Sequence, residues 1–483
     1  MNRDNMGHRT RLRYRVATTA VAIFGATWLV TGCVCITRPR PTAPPVPITL
    51  HADGDSFDSA AEPSGQLWRG FNDQTLDLLI DTALTNNRSL AQIVGRLDET
   101  RALRGIALNG FFPSVSATAR RNTQVSSTLN PFVPPSIGKT TTFASGFSSS
   151  WELDLFGATL NGVRVANADV SSVEFDLLAA RQAVVAEVAQ AYFALRADQQ
   201  HQHYSIERVE LLKNQLQLAV ERRNVGRTNG QDLEQAKSDL AIAAAAAASL
   251  DGLVAQDFNR IATLTVMADD SVHSQLDALA SLPQVPELVP VGMPTAWFGR
   301  RPDVHSAEMQ FLAAHASVNI ARADYFPHID LNGSFGWNAQ RSTDLGRSAA
   351  HEWTFGPSLS WRFLDITRTR QQVKAADARS RIALARFDET VLRALEETND
   401  CFSVYRAAHE AHAEWDTAQS AALTQWQLAR ERSAVGSIDQ SVRIAARLNF
   451  LNTADQSVAA HAREVSALAA LYKALAGDFA HKE

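Results

Sequence analysis

The chain carries the same half twice, and this duplication constrains its fold more than any other feature. Phe111-Phe112-Pro113-Ser114-Val115 returns as Tyr325-Phe326-Pro327-His328-Ile329. Ser150-Trp151 returns as Ser360-Trp361, Ala191-Tyr192-Phe193-Ala194 as Cys401-Phe402-Ser403-Val404, and Val225-Gly226 as Val435-Gly436; the last three pairs share an offset of 210 residues. Solenoid repeats are roughly 20–50 residues long, so this is a duplicated half-protein. Each copy reads in the same order: a helix, two alternating strands, then two very long helices.

The ends bound the compartment. Arg3, Arg9, Arg11, Arg13 and Arg15 precede an apolar stretch from Val16 to Val30. A membrane span needs about 20 apolar residues, so the stretch predicts a signal peptide over 1–32. It closes on Leu29-Val30-Thr31-Gly32-Cys33, which resembles a bacterial lipobox with Cys33 as the lipidated residue. Val34 follows in place of the aspartate that marks inner-membrane retention, which favours the outer membrane. Residues 33–65 form the lipidated N-terminus and a proline-rich tether through Pro44-Pro45-Val46-Pro47. No later run is continuous and apolar enough for a membrane helix, so a mature chain that crosses a membrane does so with strands. The net charge of −5 is interspersed and gives no sign of a nucleic-acid partner. Of the three cysteines, Cys33, Cys35 and Cys401, the last stands in the slot of Ala191 and reads as a packed residue. No disulfide framework or metal spacing is present.

The strands alternate. In His328–Asn338, Ile329, Leu331, Phe335 and Trp337 fall on one face and Asp330, Asn332, Ser334 and Asn338 on the other. In Trp353–Phe363, Phe355, Leu359 and Phe363 face out and Thr354, Ser358 and Ser360 face in. The first copy repeats this more weakly, with Phe143, Phe147, Trp151, Leu153 and Leu155, and with Val115, Ala117 and Ala119 before Arg120-Arg121. Pro357 is in tension with a central strand. Strands of this length suit a membrane barrel with aromatic girdles. Four half-buried strands of a soluble sheet are the competing reading. A hydrocarbon core tolerates only closed barrels, and the small ones need about 8 strands, so four per chain require oligomerisation.

From about Leu160 to Arg223 there is no proline. A helix of this size runs to about 100 Å. Val185, Val188, Tyr192 and Leu195 trace a heptad seam, as do Val209, Leu212, Leu216 and Ala219. The helices break at Val225-Gly226 and Val435-Gly436, where glycine supplies the left-handed turn. Ala243 to Ala248 predict dense helix packing. The first repeat spans 66–282 with strands at about 113–124 and 143–155. A linker with Pro283, Pro286, Pro290 and Pro294 covers 283–299. The second repeat spans 300–478 with strands at about 327–338 and 353–364, and a tail covers 479–483.

Ser150-Trp151-Glu152-Leu153-Asp154-Leu155-Phe156-Gly157, Arg300-Arg301-Pro302-Asp303-Val304, the two Phe-Pro junctions and Leu471-Tyr472-Lys473-Ala474-Leu475 resemble the TolC-like outer-membrane efflux proteins, lipoprotein branch (OprM/NodT type). The resemblance covers about residues 66–478. It implies a mixed α and membrane-β fold, in which a homotrimer forms a 12-stranded outer-membrane β-barrel continuous with a periplasmic α-helical barrel. It implies a periplasmic adaptor and an inner-membrane RND-type pump as partners, beside outer-membrane lipid. That family carries an aspartate nine residues after the second turn glycine; here Ala445 stands there. The charges nearest the turns, Asp232, Glu234, Asp439 and Arg443, are the candidate periplasmic gate, with Arg443 facing Asp232 or Asp439 of a neighbouring chain.

The expected function is a passive duct for small toxic molecules. A duct for polypeptides and a lipid-anchored coiled-coil scaffold without a pore are the alternatives. No catalytic residue, cofactor or metal is expected. His409-Glu410-Ala411-His412 falls one residue short of the zinc-protease spacing and reads as solvated surface, as does His201-Gln202-His203.

Overall fold

The structure, a computed structural model, describes residues 57–58, 67–125, 139–227, 229–286, 289–291 and 299–475. Cys33, Cys35, the signal peptide, the tether and the tail lie outside the described residues. Described elements run β1 (Phe57–Asp58), α1 (Gln74–Asn86), α2 (Arg88–Asn109), β2 (Ser114–Val125), β3 (Lys139–Glu152), α3 (Ala158–Asn224), α4 (Gly230–Thr265), α5 (Asp269–Leu276), β4 (Val289–Pro290), α6 (Pro302–Ala323), β5 (His328–Ala339), β6 (His351–Ser360), α7 (Ile366–Ala434) and α8 (Gln440–Ala474). The predicted order appears in both copies. In the first, the leading helix is broken at Asn87, whose side chain accepts from the Ser89 and Leu90 amides and donates to the Leu264 carbonyl.

The chain divides into two compact units that cut across the copies: Leu103–Asn167 with Leu312–Arg381, and Ala168–Phe311 with Ile382–Glu483 and the segment ending at Ala102. The first holds one antiparallel sheet in the order β2-β3-β5-β6. The hairpins of the two copies meet at β3 and β5, where Gly146 pairs with Gly336. A Cβ on either glycine would lie 2.5 Å from a backbone oxygen of the opposite strand, so this junction requires two glycines. Each hairpin is fastened in the same way. The Trp151 indole donates to the Phe111 carbonyl at 3.0 Å, and the Trp361 indole to the Tyr325 carbonyl at 3.1 Å.

That second bond explains one difference from the sequence expectation. The alternation continues past Ser360 through Trp361 and Phe363, yet β6 ends at Ser360 and Phe363–Asp365 form a 3-10 turn. The Trp361 ring is turned onto the Phe-Pro junction, and the chain leaves the ladder there. At the other end β3 begins at Lys139, earlier than expected, because Thr140, Thr141 and Thr142 pair with Gln124, Thr123 and Asn122. Within the chain Pro357 stands on β6, an outer strand of the sheet, opposite Leu331.

The second unit holds the main core. Val188, Tyr192, Phe193 and Leu195 of α3 pack with Ile261 of α4, Phe402 and Tyr405 of α7, and Leu468 and Leu471 of α8. Val188, Tyr192 and Leu195, with Val185 beside them in the same core, are the first heptad seam read from the sequence. A two-residue parallel pairing of β1 with β4 joins residues 57 and 289. Helix α4 carries an 18-residue stretch of mean hydropathy 1.4 and so passes for a membrane span by length and composition alone. This departs from the expectation that no helix qualifies. The alanine tract raises the average without a continuous run of large apolar side chains, and it lies mostly exposed in the single chain.

Candidate functional site

The sheet is two-faced. Its register aligns Ser116, Ser148, Ser334 and Thr354 in one row across all four strands. Ser116 and Ser148 share a hydrogen bond of 2.8 Å, and Ser334 and Thr354 one of 2.7 Å. On the same face the Asn332 amide donates to the Ser358 hydroxyl at 2.8 Å. One residue along, Ala117, Phe147, Phe335 and Trp353 align on the opposite face. This apolar face is bare: Trp353 is 67% exposed, Phe355 70% and Leu359 64%. Water does not stabilise such a face, and hydrocarbon does. The expected outward and inward sets at Phe355, Leu359, Thr354 and Ser358 are in place. Phe363 lies beyond the strand. Arg120 falls on the polar face. Arg121 falls on the apolar one, with its guanidinium 5.6 Å from the Phe143 ring centroid.

The outer strands β2 and β6 each have one unpaired edge within the chain. In hydrocarbon those edges must be closed, which one four-stranded sheet cannot do alone.

The helical turns form the second candidate region. Gly226 and Gly436 adopt φ of 69° and 73°, the left-handed conformation that closes α3 and α7. The next helices are capped at matching positions. Asn229 accepts from the Asp232 amide at 2.9 Å, and Asp439 accepts from the Ser441 amide at 2.8 Å. Asp439 also receives Arg222 of the first copy at 2.5 Å. The Ser441 amide and hydroxyl, with Arg222 beside them, hold the Asp439 carboxyl below the usual carboxylate range. Glu234 pairs within its own helix with Lys237 at 2.9 Å. Within the chain, then, the cation on Asp439 is Arg222, which sequence reasoning missed. Arg443 has no ion-pair partner among the described residues of its own chain. A cavity of about 380 Å³ opens near the second turn, lined by Leu428, Arg432, Ile438, Val442, Ala445 and Asn449. Ala445, where the resemblance led one to expect an aspartate, is a wall of that cavity.

Other residues quoted from the sequence prove to be framework. The Arg301 guanidinium binds Asp303 at 2.8 Å, Glu397 at 2.6 Å and the Ala474 carbonyl at 3.1 Å. Burial works against charge on Asp303 and Glu397, but Arg301 outweighs it and keeps both carboxyls lowered. The Arg-Pro-Asp segment is thus a clasp on the end of α8. Tyr192 donates to Asp73 at 2.6 Å, and burial pushes its phenol up to about 12. Cys401 is half-buried, and burial pushes its thiol up to about 11, which fits a packing role. Of the histidines read as solvated, only His203 is exposed. His201 pairs with Asp455 at 2.6 Å. His409 and His412 close on the buried Glu464 at 2.6 and 2.5 Å.

Comparison with known proteins accords with this arrangement. The family described as "Outer membrane efflux protein" matches residues 79–265 and 297–477, one block in each copy. The chain is 28% identical to the antibiotic efflux pump outer membrane protein ArpC of Pseudomonas putida over 467 residues, covering 93% of each chain. It is 29% identical to the toluene efflux pump outer membrane protein TtgC of Pseudomonas putida over 444 residues, covering 89% of this chain and 88% of that one. The solved outer-membrane channel OprN superposes with a TM-score of 0.80 at 30% identity, covering 92% of this chain and 99% of that one. A two-faced strand set, paired long helices with matched turns, and a family match across both copies converge: the chain belongs to the outer membrane efflux protein family and is an outer-membrane channel of a tripartite efflux system.

Proposed function

We propose that three chains close their sheets edge to edge, β6 of one on β2 of the next, and form a passive duct for small toxic molecules. The observation that carries this is the bare apolar face backed by a continuous polar row, on a sheet whose two edges are open. Three copies give about 12 strands, above the roughly 8 that the small barrels need. The polar row then lines the lumen and the aromatic face meets lipid. Cys33 carries the lipid anchor. A periplasmic adaptor and an inner-membrane RND-type pump supply docking and energy, a reading supported by relatives named as outer membrane proteins of efflux pumps. Relatives named for antibiotic and toluene efflux support a cargo of apolar or amphipathic small molecules.

The turns at Gly226 and Gly436 form the gated mouth. Asp232, Glu234, Asp439 and Arg443 come together there around the threefold axis, and Arg222 joins them through Asp439. Two measurements test this reading. Reconstituted in planar bilayers, the purified trimer is expected to give discrete conductance steps. Expressed with an adaptor and pump in an efflux-deficient strain, it is expected to restore toluene or antibiotic tolerance. A folded trimer without conductance would sink the duct. Conductance without restored tolerance under any matched adaptor would sink the cargo assignment.

A further inference from the structure

The second copy holds a side-chain cluster that export of small molecules does not use. His409 and His412 stand three residues apart on α7, and His461 and Glu464 three apart on α8, so each pair shares one helix face. The faces meet. Glu464 is only 2% exposed, yet it is a carboxylate. One ring nitrogen of His412, one of His461 and a carboxylate oxygen of Glu464 all lie within 4.8 Å of one another. The rings of His412 and His461 are nearly parallel, with centroids 4.5 Å apart.

Each of the three groups is also held from behind. Nε2 of His412 stands 3.5 Å from Asp416, itself fixed by the Ser457 hydroxyl at 2.7 Å. His461 hydrogen-bonds the backbone of Pro283, and since proline has no N–H, the imidazole donates to the carbonyl. In that tautomer its other nitrogen has a lone pair to offer a ligand. The second oxygen of Glu464 is taken by His409 at 2.6 Å. Outer partners of this kind, a carboxylate or carbonyl on the far nitrogen of each histidine, are what metal-binding imidazoles carry.

We infer that His412, His461 and Glu464 bind one borderline divalent metal ion per chain, of the zinc or cobalt(II) class. Two imidazoles and one carboxylate suit zinc and leave a fourth position for water. Metal–ligand bonds of about 2.0–2.1 Å place tetrahedral ligand atoms roughly 3.4 Å apart, so the His412–Glu464 pair opens from 2.5 Å while the wider separations in the cluster close, changes that side-chain rotation supplies. The ion takes the place of the proton shared by Nδ1 of His412 and Glu464, and that proton is released to solvent. Bound there, it ties α7 to α8 in the second copy alone. At the offset of 210 the first copy has Gln199, Gln202, Asp251 and Val254, which lack imidazoles. There Gln202 donates to Asp251 at 2.7 Å, an ordinary polar contact in the same place.

The test uses the purified full-length trimer, stripped with chelator and titrated with CoCl2. The expected result is a visible d–d absorption band saturating at one cobalt per chain, abolished by equimolar ZnCl2. With zinc, the melting temperature is expected to rise by several degrees. His412→Gln and His461→Gln are each expected to weaken cobalt binding at least tenfold, and His203→Ala to leave it unchanged. His461→Gln keeps an amide able to donate to Pro283, so its fold is protected. A wild-type trimer with no stoichiometric cobalt band overturns the proposal whatever the variants do. So does a band that His412→Gln leaves intact, which would place the ion elsewhere. Melting that responds to pH but not to zinc would reduce the cluster to a protonation-linked contact and also overturn it.

Discussion

The two copies solve one problem in opposite ways. Both set carboxylates between their long helices at nearly the same level, half-buried in the first copy and buried in the second. In the first copy Asp257 faces Asp198, and at the offset of 210 both positions are alanine in the second, Ala467 and Ala408. Burial, then the neighbouring Asp198, pushes Asp257 up to about 7. In the second copy the acid is Glu464, one helical turn away, where the first copy has Val254. Burial again works against its charge, but His412 and His409 outweigh it and the carboxyl is lowered. One copy keeps its acid by protonating it, the other by surrounding it with imidazoles. Meanwhile the elements that steer the backbone are the same: the indole on the Phe-Pro junction, the left-handed turn glycine and the cap three residues after it. Duplication has preserved what the main chain requires and left the side-chain chemistry free to diverge.

The largest test of this view lies in the sheet. The second copy presents Phe335, Trp353 and Phe355 to the outside, whereas the first tolerates Arg121 on that face. Phe355 is the middle of its strand. Phe355→Arg is expected to lower barrel stability by about 2–4 kcal/mol, and Leu359→Arg, one residue from the strand end, by about 0–1 kcal/mol. Thr354→Arg, on the polar face, is expected to spare the trimer and narrow the pore, and Arg121→Leu to cost nothing. The fraction of heat-resistant trimer in detergent reads all four. Equal damage from Phe355→Arg and Thr354→Arg would mean a sheet buried on both faces.

Next come the two acids, whose substitutions should move stability in opposite directions. Glu464→Gln removes the partner of two histidines and is expected to cost about 1–3 kcal/mol at pH 7. Asp257→Asn removes an acid that is reluctant to ionise. In the folded chain Asp257 keeps its proton up to about 7, whereas an ordinary carboxyl releases it near 3.8. Folding therefore binds a proton across that window, and its contribution falls as pH rises through it. Above it, at pH 8, Asp257→Asn is expected to stabilise by about 1–2 kcal/mol after allowance for partial solvent access. Denaturant midpoints between pH 5 and 8 check this. A wild-type curve that rises over the window, or no difference at pH 8, would remove the proposed contrast between the copies.

How much of this was legible in the sequence follows the same division. Features set by neighbours along the chain could be read: the turns at Gly226 and Gly436, the alternation that puts Ser334 and Phe335 on opposite faces, and the heptad seam through Val188, Tyr192 and Leu195. Features set by distant partners could not. Arg301 was visible as part of a motif, but its partners Glu397 and Ala474 lie 96 and 173 residues away. His409 and His412 looked solvated because Glu464 is 55 and 52 residues further on. The end of β6 was misplaced for the same reason, since the alternation runs on while the Trp361 indole answers to Tyr325. The pairing of β1 with β4 rests on two residues in each strand and leaves no pattern to find.

The smallest expected effect is at the turns, and it separates a clasp within one chain from a latch between chains. The caps differ by one atom type: Asn229 is neutral, Asp439 is charged and draws Arg222 across from the first copy. Asp439→Asn makes the second cap resemble the first. An asparagine still accepts from the Ser441 amide, so the helix start is kept while the ion pair is lost. An exposed pair contributes about 0–1 kcal/mol, but three symmetric copies multiply its effect on a mouth with two states. Asp439→Asn and Arg222→Ala are therefore expected to raise single-channel conductance of the trimer without adaptor, and 1 M salt, with a Debye length of about 3 Å, to do the same to the wild type. Arg443→Glu is the complementary variant, because Arg443 has no ion-pair partner among the described residues of its own chain. If it opens the mouth while Arg222→Ala does not, the restraint runs between chains through Arg443. If Arg222→Ala opens it and Arg443→Glu does not, each chain holds its own two turns together, and the asymmetry between the copies is what sets the gate. No change in any of the variants would leave these charges to adaptor docking alone.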